Sequence, residues 1–323
     1  MPYLEIARID HWFKCVFMIL GVVVAVFYEP ERLSWSSALS LAFALLAANL
    51  VASSNYVINE VLDAPFDRVH PEKRHRPVAA GRVDVRIAVV EWLALAAVGG
   101  GIGVHLGVAF SAALALLWGM GLLYNLPPSR LKEVPYADVL TESINNPIRL
   151  LLGWFALIPD RFPPLSLLLA YWMAGAYFMA IKRLAELRHL GDPVIAARYR
   201  RSFAHYDESR LLVSILFYAT ACGLLSGIFL VRARLELVLF VPLAASFLAY
   251  YLRLGLAPDS LTQRPEALYR DRGLVVLATV CLLAFVALLF VEIPWLYDVF
   301  DVSPDSVERL WRIERPASTS SPA

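Results

Sequence analysis

Nine runs of about 20 mostly apolar residues follow one another along this chain, and each is long enough to cross a bilayer core as a helix. Their approximate limits are 12–28, 36–60, 85–106, 108–126, 136–158, 163–184, 210–231, 235–254 and 273–293. No large soluble domain fits between them. Composition agrees, since 59% of the 323 residues are hydrophobic and 18% charged, where soluble chains carry about 25% charge. An ordinary water-soluble enzyme is excluded. The pattern predicts an all-α integral membrane bundle of about nine transmembrane helices, with one polytopic domain over 1–300 and a Pro/Ser/Thr/Ala-rich, partly disordered tail over 301–323. The first run is followed by no small-residue cleavage site and reads as a retained span. A net charge of +1 gives no general attraction to nucleic acid. Cys15, Cys222 and Cys281 lie within apolar runs and read as small buried hydrophobes.

Positive charge sets the expected orientation, because cytoplasmic loops collect lysine and arginine. With the N-terminus inside, 21 of the 29 basic residues fall on the inner side, including all four lysines, and the C-terminus lies outside. The inner loops 60–84 and 185–209 stand out for length and charge. A charged substrate would therefore be handled at the cytoplasmic face.

The second span runs into the first of these loops with Asn55, Asn59, Asp63 and Asp67 at intervals of four, one polar stripe at the end of an apolar helix. Carboxylates at that depth are costly and mark functional candidates. Mg²⁺ favours one or two carboxylates together with substrate phosphate oxygens, so Asn59, Glu60, Asp63 and Asp67 are the candidate ligands. Pro65 interrupts ideal helix geometry and is expected to put Asp67 past a kink. Lys73, Arg74 and Arg76 follow and could neutralise a pyrophosphate.

Further polar groups enter from other inner ends. Arg8, His11, Trp12 and Lys14 open the first span. Tyr124, Pro127, Pro128, Arg130 and Lys132 follow the fourth, with both cations candidate phosphate ligands. On the fifth span Asp138, Glu142, Asn145, Asn146 and Arg149 share a helical face. Arg149 near mid-membrane would cost about 2.5–3.5 kcal/mol unpaired, so Glu142, Asp138 or an anionic ligand should face it. Lys182, Arg183 and Glu186 end the sixth span, where Lys182 and Glu186, one turn apart, could pair. The loop beyond carries Arg198, Tyr199, Arg200, Arg201, His205, Tyr206 and Asp207.

Asn59-Glu60-x-x-Asp63-x-x-x-Asp67 at the end of the second span resembles the first aspartate-rich motif of the UbiA superfamily of intramembrane prenyltransferases, with Glu60 in place of the usual Asp. The resemblance implies Mg²⁺ and diphosphate bound at this motif, and a Trp12-x-Lys14 pair bordering the active site. The family's second Asp-x-x-x-Asp pair is replaced here by Lys182 and Glu186. The Lys182-Arg183-Leu-Ala-Glu186-Leu string and His70-Pro71-x-Lys73-Arg74-x-Arg76-Pro77 resemble the polyprenyl-phosphate phosphoribosyltransferase branch. That branch implies transfer from phosphoribosyl pyrophosphate to a polyprenyl phosphate in the bilayer. Asp63, Asp67, Lys182 and Glu186 would then be catalytic, and Lys14, Lys73, Arg74, Arg76, Tyr124, Arg130, Lys132, Asp138, Glu142, Asn145, Arg149 and Arg183 would bind substrate. Prenyl transfer from a polyprenyl diphosphate to an aromatic or other lipophilic acceptor is the alternative. A non-catalytic lipid-binding or transport protein is a third, against which no inverted repeat is evident.

Overall fold

Helices make up most of the chain, the long apolar ones because the bilayer leaves backbone groups no other partners. In chain order these are α1 (Pro2–Ile6), α2 (Ile19–Tyr28), α3 (Trp35–Asp67), α4 (Val85–Leu106), α5 (Val108–Asn125), α6 (Ala137–Ser143), α7 (Asn145–Phe155), α8 (Leu165–Leu190), α9 (Pro193–Tyr199), α10 (Glu208–Ala233), α11 (Val241–Leu256), α12 (Arg272–Phe290) and α13 (Pro294–Phe300). The computed structural model describes residues 1–68, 73–258, 260–263, 265–301 and 311–312. His70, Pro71 and Glu72, the side chains of Arg198 and Tyr199, and most of the 301–323 tail lie outside the described residues. Short polar side chains start several helices. Ser34, Asp84, Asp207 and Asp271 each accept a backbone N–H from the first turn of α3, α4, α10 and α12.

Among the described residues, eight helical stretches are long and apolar enough to span, which makes the chain an integral membrane protein. The first joins α1 to α2 through a 3-10 stretch, Ile9–Met18. The expected fifth span is instead two pieces, α6 and α7, meeting at Ile144. Pro147 explains the break, because it offers no N–H to the Ser143 carbonyl and its ring crowds that oxygen. By contrast α3 continues as helix through Pro65 to Asp67.

The bundle is held by pairs of long helices, α3 along α4 and α8 along α10, with α7 packed against α2, α5 and α8. Phe110, Leu117, Ile148, Leu150 and Trp154 are buried between them, while Leu216, Phe217, Val276 and Leu283 face outward toward lipid. Two glycines set the closest crossing. A Cβ on Gly21 would lie 2.1 Å from the Leu150 carbonyl oxygen, and one on Gly153 would lie 2.2 Å from that of Met18. Small residues let helix backbones meet in membranes. Gly153→Val should therefore separate α2 from α7 and lower thermal stability by several degrees, read by the melting of detergent-purified protein; an unchanged midpoint would contradict this crossing.

Alternating spans gather the termini and loops into two sets. One end collects the loops after α3, α5 and α8. The other carries its own ion pairs, with buried Glu29 bound by Arg32 and Arg161, each at 2.7 Å. There Arg161 and Phe162 pair antiparallel with Trp311 and Arg312 of the tail.

Candidate active site

The end of α3 and the loop after α5 build the first part of the site. Lys132 Nζ donates to Asp63 Oδ1 at 2.5 Å, Asn125 Oδ1 at 3.0 Å and Asn59 Oδ1 at 3.2 Å. Arg130 Nη2 donates to the same Asp63 oxygen at 3.1 Å, while its Nε reaches Glu133 at 2.5 Å. Its guanidinium lies over the Phe66 ring, 4.8 Å from the centroid. Arg130 adopts a left-handed backbone, φ 30°, which turns the loop so that both cations return to α3. Burial pulls the Lys132 ammonium below the ordinary lysine range, with Asp63 opposing. If Lys132 binds phosphate as ammonium, diphosphate affinity should decline on the alkaline side at a pH below about 10.4, the usual lysine value. Titrating pyrophosphate binding against pH tests this, and a flat profile up to that pH would contradict it.

Glu60 and Asp67 do not join this group. Glu60 is buried and its Oε1 accepts the Val78 N–H at 3.1 Å, so it braces the following loop; adjacent residues on a helix point about 100° apart. This corrects the expectation that Glu60 stands with Asn59 and Asp63. Asp67 Oδ2 accepts from Arg76 Nη1 at 2.8 Å, which occupies both the carboxylate and a cation assigned to phosphate. Lys73 lies within electrostatic reach of Arg76, Asp67, Arg200 and Glu186. Arg74 is exposed and meets the His75 ring at 3.3 Å, away from these clusters.

A second group surrounds Arg183, whose side chain is 1% exposed. Its Nε donates to Asp138 at 3.0 Å, Nη1 to Glu186 at 2.9 Å and Nη2 to Glu142 at 2.9 Å. Asp138 also accepts from Tyr206 OH at 2.6 Å, Ser202 Oγ at 3.3 Å and Arg200 Nη1 at 3.4 Å. Tyr124 OH donates to Glu142 at 3.0 Å, and Asn145 Nδ2 to the Glu142 carbonyl at 3.0 Å. Since Tyr124 and Asn125 are consecutive, the end of α5 joins the two groups. Arg183 is thus no open phosphate clamp, and Lys182 does not pair with Glu186, because Arg183 takes that carboxylate. Arg200, Tyr206 and Asn125 were not singled out by spacing; only the length and charge of the 185–209 loop pointed toward two of them.

Lys14, Arg149 and Lys182 have no carboxylate within 4 Å among the described residues. Lys14 Nζ donates to Tyr56 OH at 3.2 Å, and both Lys14 and Lys182 lie within electrostatic reach of Glu142 and His11. Arg149 is 7% exposed, and its one hydrogen bond among the described residues is a 3.5 Å contact to the Asn145 carbonyl. The expected pairing of Arg149 with Glu142 or Asp138 is absent because Arg183 holds both acids. The oxygens of Asn59, Asp63 and Asn125 converge on the Lys132 ammonium; no group of three or more His, Cys, Asp or Glu side chains among the described residues could hold a metal ion, so this one-carboxylate oxygen set would suit Mg²⁺ only with the ammonium displaced and phosphate oxygens completing the shell.

This fold and site define a family. A sequence profile described as the UbiA prenyltransferase family matches residues 15–270. The chain belongs to the UbiA prenyltransferase family. It is 30% identical over 209 residues to nodulation protein NoeC of Azorhizobium caulinodans, covering 65% of each chain. The chain thus spans just under two thirds of that relative's length. It is 32% identical over 231 residues to decaprenyl-phosphate phosphoribosyltransferase of Mycobacterium tuberculosis, covering 68% of this chain and 71% of the other. A UbiA homolog from Archaeoglobus fulgidus, solved bound to GPP and Mg²⁺, shares the fold with a TM-score of 0.67 at 19% identity, over 90% of this chain and 98% of that one.

Proposed function

We propose that the chain transfers a phosphoribosyl group from phosphoribosyl pyrophosphate to a polyprenyl phosphate, at the cytoplasmic end of the bundle where positive charge gathers. The observation that carries this reading is Arg149, a buried guanidinium inside the bundle with no acidic partner among the described residues. A prenyl tail running down from a diphosphate would meet that charge inside the bundle, at a desolvation cost. A donor with a second anionic group satisfies it. Lys14 and Lys182, likewise without acids, add capacity for a further phosphate, and the similarity to a decaprenyl-phosphate phosphoribosyltransferase supports the same substrates.

Asp63, Asn59 and Asn125 would hold Mg²⁺. When bound, the ion supplies positive charge to the leaving diphosphate. Arg130 and Lys132 stand beside the same carboxylate and donate to diphosphate oxygens. As the bond from ribose C1 to the diphosphate oxygen breaks, its electron pair stays on the diphosphate, and these preorganised cations stabilise the charge. Lys14 and Lys182 orient the lipid phosphate, whose oxygen forms the new bond to C1. That oxygen is already ionised and needs no general base. Arg149 lies beyond the break at Ile144, on α7, and receives the donor's remaining phosphate.

Thermal shift tests donor recognition separately from turnover. With Mg²⁺, phosphoribosyl pyrophosphate should stabilise the purified protein more than geranyl diphosphate does, and Arg149→Met should erase the difference. Equal stabilisation by both donors would contradict the assignment.

A further inference from the structure

His11 stands beside the site, and the reaction described above leaves it unused. It sits in the 3-10 stretch Ile9–Met18, where its backbone N–H meets the Arg8 carbonyl at 2.8 Å. Arg8 takes a left-handed backbone, φ 50°, which is uncommon for a residue other than glycine and persists where its surroundings hold it. That turn brings the guanidinium back onto the ring, and His11 Nε2 accepts from Arg8 Nη2 at 2.5 Å. Arginine can only donate, so Nε2 presents its lone pair and the ring proton rests on Nδ1. Asp10 lies 3.4 Å from the same Nε2, but it is 65% exposed and also meets Arg8 at 3.5 Å. Nδ1 itself is buried with no hydrogen-bond partner among the described residues, an arrangement that native proteins rarely leave unanswered.

The unpaired donor lies beside the Asp63 face of α3. The imidazole stands edge-on to the Tyr56 ring, with centroids 5.2 Å apart and planes at 87°, and Tyr56 OH accepts from Lys14 Nζ at 3.2 Å. Tyr56 precedes Asn59 by three residues and Asp63 by seven, which puts all three on one helical face, with Tyr56 roughly 10 Å further from the end of α3. Lys14 and Lys182 both lie within electrostatic reach of the ring, so an anion drawn to these lysines meets the Nδ1–H. We propose that His11, protonated on Nδ1, is a specificity-determining residue that donates to a phosphate oxygen of the lipid acceptor. The proposal rests on the phosphoribosyl-transfer reading above. Two flexible lysines supply charge without direction, whereas a ring held between Arg8 and Tyr56 supplies one directed N–H. Together they favour a phosphate-headed lipid over one with an uncharged head, which would leave the buried donor unpaired.

Binding of farnesyl phosphate to the detergent-purified full chain, measured without donor, tests this apart from turnover, with farnesol and Mg²⁺-pyrophosphate as parallel probes. His11→Phe keeps a ring against Tyr56 and loses the N–H, so farnesyl phosphate affinity should fall about tenfold while farnesol and pyrophosphate affinities change less than about twofold. His11→Asn carries its amide nitrogen near the Nδ1 position and should restore most of the binding. His11→Gln places that nitrogen near Nε2 and should bind as weakly as His11→Phe, which keeps the proposal testable should the phenylalanine variant fail to fold. Unchanged farnesyl phosphate binding in folded His11→Phe, or better binding by His11→Gln than by His11→Asn, would overturn the proposal. An equal loss for farnesol would overturn it too, by assigning His11 to packing, as would a loss for pyrophosphate, by assigning it to the donor. Farnesyl phosphate bound no tighter than farnesol by the unaltered protein would instead overturn the acceptor reading on which the proposal rests.

Discussion

Asp63→Asn is expected to lower turnover about 10³-fold, the loss typical when a preorganised electrostatic contact at the reacting centre is removed. Its effect on the fold should be smaller but measurable. The carboxylate oxygen Oδ1 accepts from both Lys132 and Arg130, so its charge neutralises two cations, one of them buried. Asparagine keeps an accepting oxygen and loses that charge. About 1–3 kcal/mol of stability should go with it, the usual cost of leaving a buried polar partner poorly satisfied. Initial rates and melting curves on the same preparation check both parts. Near-normal turnover in a folded variant would remove Asp63 from the chemistry.

Arg149→Met should separate activity from stability in the opposite direction. A hydrogen-bonded charge pair in a buried site is worth about 2–5 kcal/mol when one partner is truncated, so the rate at low phosphoribosyl donor concentration should fall about 100-fold. The protein itself should melt no lower. No carboxylate is orphaned by the change, and an unpaired charge is removed from the bundle interior, where it costs free energy. A lower midpoint together with lost activity would show that Arg149 holds the bundle together.

Much of the fold is legible in the sequence. Apolar runs longer than 18 residues have few alternatives to spanning helices, and the four-residue spacing of Asn59 and Asp63 placed them on one face because α3 is regular there. Other features depend on what a helix meets. Lys182 and Arg183 are neighbours in sequence but about 100° apart around α8, and spacing alone could not say which turned inward. Once Arg183 does, it claims Asp138, Glu142 and Glu186 together, which leaves Arg149 and Lys182 without the partners that local spacing offered. Glu60 was misplaced for a similar reason: its partner is the Val78 N–H, a backbone group exposed by a loop whose path no periodicity encodes. Pro147 was visible in the sequence, but a single break within a long apolar run does not reveal that it divides the span into α6 and α7.

The central claim is the identity of the donor. The most direct measurement incubates purified protein with Mg²⁺ and a polyprenyl phosphate, offers phosphoribosyl pyrophosphate or a prenyl diphosphate separately, and follows pyrophosphate release together with lipid-linked product. The account predicts phosphoribosylated lipid and pyrophosphate from the first donor alone. Product formed only with a prenyl diphosphate and a lipophilic acceptor would contradict it.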